Sequence, residues 1–168
     1  MKKYILSALF QLLTLTGILT SGFAQGKTEA SIKISGEVKT PITITLADLA
    51  KMTRIEVSRK DRDNKDHIYS GVSLSMLLTQ AGATMGKDLR GENLAKYVVV
   101  EASDGYQVLF SLAELDSEFS DDKIILADSI DNKLLPAADG PFRVIVQNDK
   151  RPARCIKQVT GIKIGFAK

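Results

Sequence analysis

Apolar and polar residues alternate along Ser31-Ile32-Lys33-Ile34-Ser35-Gly36-Glu37-Val38, the period of a half-buried strand. Pro41 interrupts the pattern and Ile42-Thr43-Ile44 resumes it. Thr45-Leu46-Ala47-Asp48 predicts a helix start, with Thr45 as cap, Asp48 near the positive end of the dipole, and Leu46, Leu49 and Met52 as the buried stripe. Residues 54–60 and 65–69 predict a hairpin around Asp61-Arg62-Asp63-Asn64, a tip of alternating charge that reads as a solvated turn or a docking loop. Gly71 is expected to break the second strand. Ser73 is expected to cap a helix that packs Leu74, Leu77, Leu78 and Ala81 inward and ends at Gly82. Residues 84–93 read as a loop.

Tyr97 to Ala102 is rich in β-formers and predicts an inner strand, followed by a turn at Ser103-Asp104-Gly105 and a return strand over 106–110. Ser111 to Glu114 has the form of a capping box. Ile124 to Ala127 predicts a buried strand, Asp131-Asn132 a turn, and 142–146 and 159–166 the last two strands. Roughly seven or eight strands and a few short helices without regular alternation make the fold class α+β, not doubly wound α/β.

The first residues follow a different logic. Lys2 and Lys3 precede an apolar stretch from Tyr4 to Leu19, and small or polar residues follow up to Phe23-Ala24-Gln25. That layout predicts a signal peptide over 1–25, cut after Ala24 or Gln25, and hence a periplasmic or secreted protein. The apolar core is shorter than the ~20 residues of a membrane span, and no membrane span is expected once it is removed. Residues 26–30 then form a flexible lead, and 31–168 a single domain. The formal charge of +3 falls to +1 without Lys2 and Lys3, and tryptophan is absent. Neither feature favours a nucleic-acid partner.

The chemical inventory is short. One histidine, His67, and one cysteine, Cys155, leave no Ser-His-Asp triad in a recognisable setting and no structural zinc site. His67, beside Asp66 in the charged hairpin, reads as a solvated side chain. Calcium-loop spacing and phosphate-binding glycine loops are absent. What remains is Asp139-Gly140-Pro141-Phe142-Arg143 followed by Lys150-Arg151-Pro152-Ala153-Arg154. This basic segment is either an anion-binding element or a loop with solvent-facing charges.

The ordered succession of these segments resembles a known family. Gly36-Glu37-Val38 with Pro41, Thr45-Leu46-Ala47-Asp48-Leu49 and Tyr69-Ser70-Gly71-Val72-Ser73-Leu74 come first. Ser103-Asp104-Gly105-Tyr106, Leu112-Ala113-Glu114-Leu115, Leu126-Ala127-Asp128, Gly140-Pro141-Phe142-Arg143 and Lys150-Arg151-Pro152-Ala153-Arg154 follow. Together they look like the oxidoreductase molybdopterin-binding domain, the sulfite-oxidase-like fold, in its small stand-alone exported form. The resemblance implies a mixed β-sheet, molybdopterin as the candidate cofactor, and oxo transfer or reduction of S- and N-oxides in the full-size enzymes. It also implies one cysteine thiolate on the metal, but the corresponding stretch, Ile55 to Asp61, has no cysteine. Ser58 is a poor substitute for a soft thiolate.

Two readings follow. In the first, the chain is a binding module that holds no cofactor, its pocket formed by Asp104, Gly105, Tyr106, Arg143 and Arg154, with a small anionic ligand or a periplasmic protein as partner. In the second it is a molybdopterin-dependent oxidoreductase with atypical ligation, the metal bound either without a protein thiolate or through Cys155. The module reading expects the Cys155 sulfur buried among apolar groups; the enzyme reading expects it in a polar cleft near Arg143 or Arg154. An arginine entering a strand, as Arg143 does, can also serve only to pin a loop.

Overall fold

Among the described residues ten strands and two short helices carry the fold, and the alternation seen in the sequence sets the buried face of strands such as β1 and β3. The computed structural model describes residues 29–167. The expected signal peptide therefore lies outside the described residues. In chain order the elements are β1 (Ser31–Gly36), β2 (Ile42–Thr45), α1 (Leu46–Lys51), β3 (Ile55–Lys60), β4 (Asp66–Ser73) and α2 (Leu74–Gln80). Then come β5 (Lys96–Ala102), β6 (Gln107–Ser111), β7 (Ile124–Ile130), β8 (Lys133–Leu134), β9 (Arg143–Val146) and β10 (Val159–Phe166). Among the described residues no helix is long and apolar enough to cross a membrane.

The strands form two sheets. The first has the order β2-β1-β10-β5-β6 and is mixed, because β1 and β10 run parallel while the other pairs are antiparallel. The second runs β3-β4-β7-β8, with β9 also on β7, and is antiparallel throughout. One continuous core joins them. Ile32, Ile34, Val98, Val100, Phe110, Ile162 and Ile164 come from the first sheet, and Val57, Tyr69, Val72, Ile125, Val144 and Val146 from the second. Leu49 of α1 and Leu74, Leu77 and Leu78 of α2 complete it. The α+β class follows directly from this arrangement.

The capping expectations are met unevenly. Thr45 and Asp48 form a reciprocal capping box, with Oγ1 of Thr45 accepting the Asp48 N–H at 3.1 Å and Oδ2 of Asp48 accepting the Thr45 N–H at 3.1 Å. Ser73 occupies the cap position of α2, but its side chain makes no capping bond. The far end of α2 closes as a Schellman motif: Gly82 has φ +75°, its N–H donates to Thr79 and that of Ala83 to Leu78. Residues 84–93, read as a loop, contain two brief 3-10 turns, Gly86–Asp88 and Gly91–Ala95.

Gly71 does not break its strand. β4 runs on to Ser73 across a register shift between Ser70 and Gly71. A Cβ at Gly71 would stand 2.1 Å from the Leu126 carbonyl oxygen. At Gly71 the β7 backbone lies where a Cβ would be, so no side chain fits.

Candidate functional site

The alternation of β3 turns Ile55, Val57 and Arg59 toward the interior and Glu56, Ser58 and Lys60 toward solvent. An arginine thus takes an inward position at the end of an otherwise apolar phase, and Arg59 is only 5% exposed. Its Nη1 donates to the carbonyls of Val146 and Gln147. Its Nε is buried without a hydrogen-bond partner, and no carboxylate pairs with it among the described residues. A buried cation whose direct contacts are neutral carbonyls, with the Asp149 charge acting on it only from a distance, carries a desolvation cost that is only partly recovered.

Arg59 lies in the wall of a cleft beside the turn end of the β3–β4 hairpin. One cavity of about 430 Å³ is bounded by the cations Arg59, Lys60, Arg62 and Lys150 and by the carboxylates Asp61 and Asp149. A second, of about 370 Å³, is lined by Ala102, Asp104, Tyr106, Pro152, Cys155, Ile156 and Lys157. Arg62 and Pro152 border both, so the two cavities adjoin. One half is cationic, and the other is largely apolar with charged edges.

The carboxylates nearby are already engaged. Asp61 accepts the Tyr69 hydroxyl at 2.6 Å and faces Arg143 at 3.3 Å. Asp149 pairs with Arg154 at 2.7 Å. Asp104 accepts the Tyr106 N–H at 3.0 Å within its own turn. By contrast Lys60, Arg62 and Lys150 are exposed and make no ion pair among the described residues. The cleft therefore presents positive charge that neighbouring acids do not cancel.

The structure places the five residues named from the sequence in two groups. Asp104 and Tyr106 line the second cavity, and Gly105 shapes the turn between them at φ +83°. That turn is tied to the opposite wall: the Tyr106 hydroxyl donates to the Ala153 carbonyl at 3.1 Å, and the Ser103 hydroxyl to Oε1 of Gln158 at 2.7 Å. Arg143 and Arg154 do not line the cleft. Arg143 is 3% exposed and donates to Asp61, Asp139 and the Tyr69 oxygen. It pins the hairpin tip to the segment before β9, through carboxylates and not a carbonyl. Arg154 is held by Asp149 and Glu114 and lies over the Phe110 ring at 4.9 Å. His67, read as a solvated side chain, instead sits between the carboxylates of Asp63 and Asp131.

The electrostatics of this network keep its charges fixed. Burial pushes the Asp61 carboxyl up, but hydrogen bonds from Tyr69 and the Arg62 amide and the Arg143 charge outweigh it and hold the group at about 2. Burial and the bond to Asp61 push the Tyr69 phenol well above its usual range. Hydrogen bonding to Arg154 holds Asp149 below the usual carboxylate range.

The metal chemistry implied by the family resemblance can be tested on the donor set. The β3 stretch offers Ser58, which faces solvent, and no thiol. Cys155 is 5% exposed, and its sulfur lies 3.4 Å from the Val146 N–H. Burial raises its thiol above the ordinary value, so the soft thiolate that molybdenum requires is disfavoured. Among the described residues no three His, Cys, Asp or Glu side chains gather in a metal-binding group. These residues do not fit a thiolate-bound metal.

No protein-family model matches the sequence, and no curated protein does. Among solved structures the chain is similar to the sulfane dehydrogenase SoxCD from Paracoccus pantotrophus, with a TM-score of 0.64 at 18% sequence identity. The likeness covers 80% of this chain and 38% of that one, and at such low identity what the two share is the fold.

Proposed function

We propose that this chain is an exported anion-binding module built on a sulfite-oxidase-like fold, with the Arg59–Arg62 cleft as its site and no molybdenum chemistry of its own. The observation that carries the reading is Arg59, a buried cation without a carboxylate partner at the edge of a cleft. An incoming anion supplies the missing counter-charge. Lys60, Arg62 and Lys150 attract it from solution and close on its outer side. Tyr106, Pro152 and Ile156 offer an apolar surface to the uncharged part of a ligand.

The fold of a named dehydrogenase supports the choice of fold family, and the first 25 residues support export. The enzyme reading draws on the same neighbour, but the donor set argues against it.

Titration of the full mature chain with inorganic phosphate and with sulfate, followed by amide NMR, tests the proposal. Shifts should centre on residues 59–62 and 147–153 and weaken with added salt. Arg62→Ala should weaken binding about tenfold, the worth of one charge-assisted contact. Shifts elsewhere, or none, would reject the site. Stoichiometric molybdenum in protein from a host able to make the cofactor, lost in Cys155→Ser, would reject the module reading.

A further inference from the structure

His67 sits where the hairpin tip meets the turn between β7 and β8. Its Nδ1 lies 2.6 Å from Oδ2 of Asp131 and its Nε2 3.0 Å from Oδ2 of Asp63. Asp131 is anchored, since its other oxygen accepts the Ile68 N–H at 3.0 Å and its own N–H donates to the Ile68 carbonyl at 2.8 Å. Asp63 belongs to the tip, adjacent to Arg62, the residue shared by both halves of the cleft. The imidazole therefore bridges a fixed carboxylate and one on the binding loop.

Two carboxylates facing one ring require two N–H donors, and only the imidazolium has both. The neutral ring satisfies one and turns a lone pair toward the other. The shorter contact to the anchored Asp131 is the one retained, so the tip is the side released. Other charged residues are its neighbours in register or in sequence. Arg59 is its cross-strand partner on β3, Lys65 lies on the tip, Lys133 on β8, and Asp66 precedes it on β4. The cations oppose the second proton, but none contacts the ring as the two carboxylates do. The balance is a raised His67 pKa, caused first by Asp131 and then by Asp63.

We propose that His67, Asp63 and Asp131 form a proton-operated clasp that holds Arg62 in place, so that the cleft binds anions more tightly when His67 is protonated and releases them as it loses that proton. The proposal rests on the anion-binding reading of the cleft and adds its regulation.

Sulfate is the probe, because it stays doubly charged across the histidine range. Its affinity for the full mature chain is measured at about pH 5.5 and about pH 8.5, on either side of that range. The amides of Arg62, Asp63 and Asn64 are followed against the His67 ring signals without sulfate. Sulfate should bind several-fold more weakly at the higher pH, and the tip amides should titrate together with the ring. His67→Gln and Asp63→Asn should both give weak, pH-independent binding. A wild-type pH profile surviving in His67→Gln, or tip amides indifferent to the ring, overturns the clasp. Absence of sulfate binding at both pH values overturns the anion reading and the regulation built on it. In that case coupled titration of ring and tip, abolished by Asp131→Asn, still shows the clasp itself to be real.

Discussion

Replacing Arg59 with methionine separates a cation kept for binding from one kept for stability. Methionine replaces the aliphatic stem of arginine with a flexible apolar chain that carries no charge. The substitution removes the Nη1 bonds to Val146 and Gln147. Leaving a buried carbonyl without its donor costs about 1–3 kcal/mol. It also removes a buried guanidinium whose Nε has no partner. Relief of that desolvation is of comparable size, because an ion taken out of water costs several kcal/mol. The two effects nearly cancel, and urea denaturation of Arg59→Met should fall within about 1–2 kcal/mol of wild type.

Binding should respond quite differently. A ligand at a hundred times its dissociation constant adds about 2.7 kcal/mol to the folded state. For a domain of this size that raises the melting temperature by roughly 5–10 °C. Wild type should show such a rise in saturating sulfate, and Arg59→Met should show little of it. The reasoning fails if the variant loses about 3–5 kcal/mol without any anion, the cost of breaking a fully compensated buried charge. It also fails if the sulfate-induced rise persists.

Three further outcomes are expected. Gly71→Ala should destabilise the chain by about 3 kcal/mol or more in urea titrations, because the new methyl group meets the Leu126 backbone and cannot be relieved by a rotamer change. The Asp61 carboxyl is held at about 2 when folded, so its stabilising effect is complete above the ordinary aspartate pKa and disappears as pH falls toward about 2; Asp61→Asn should flatten that acid limb of stability. Cys155 should react with a thiol reagent only as fast as the protein opens, and rapid labelling of the native state would contradict its burial.

Much of the scaffold was legible because it obeys local rules. The Thr45–Asp48 capping box, the glycine closing α2 and the hairpin at 54–69 each follow from a short stretch of sequence. Gly71 misled because its role depends on β7, more than fifty residues away, which no local pattern reports. Half of the site shows the same limit. The turn at 104–106 is recognisable from sequence, and so is a pinning role for Arg143, but of the partners that occupy Arg143 and Arg154 only Asp139 and Asp149 are local, while Asp61 and Glu114 come from distant segments. Arg59 was overlooked among the charges of the hairpin. Its signal was phase: it continues the inward series of Ile55 and Val57, where a charge is out of place. His67 required a partner from a distant turn, Asp131, before its environment could be read.

The position of β10 also determines the order in which the first sheet can assemble. The final strand lies between β1, its parallel neighbour, and β5, its antiparallel one. The hairpin of β1 and β2 meets the rest of its sheet only through β10. Closure of that sheet is thus the most non-local step in the chain, and folding should be slow for a domain of this size. Until β10 inserts, β1 and β5 both present open edges to other chains, so the form with this sheet unclosed is the one most exposed to misassembly.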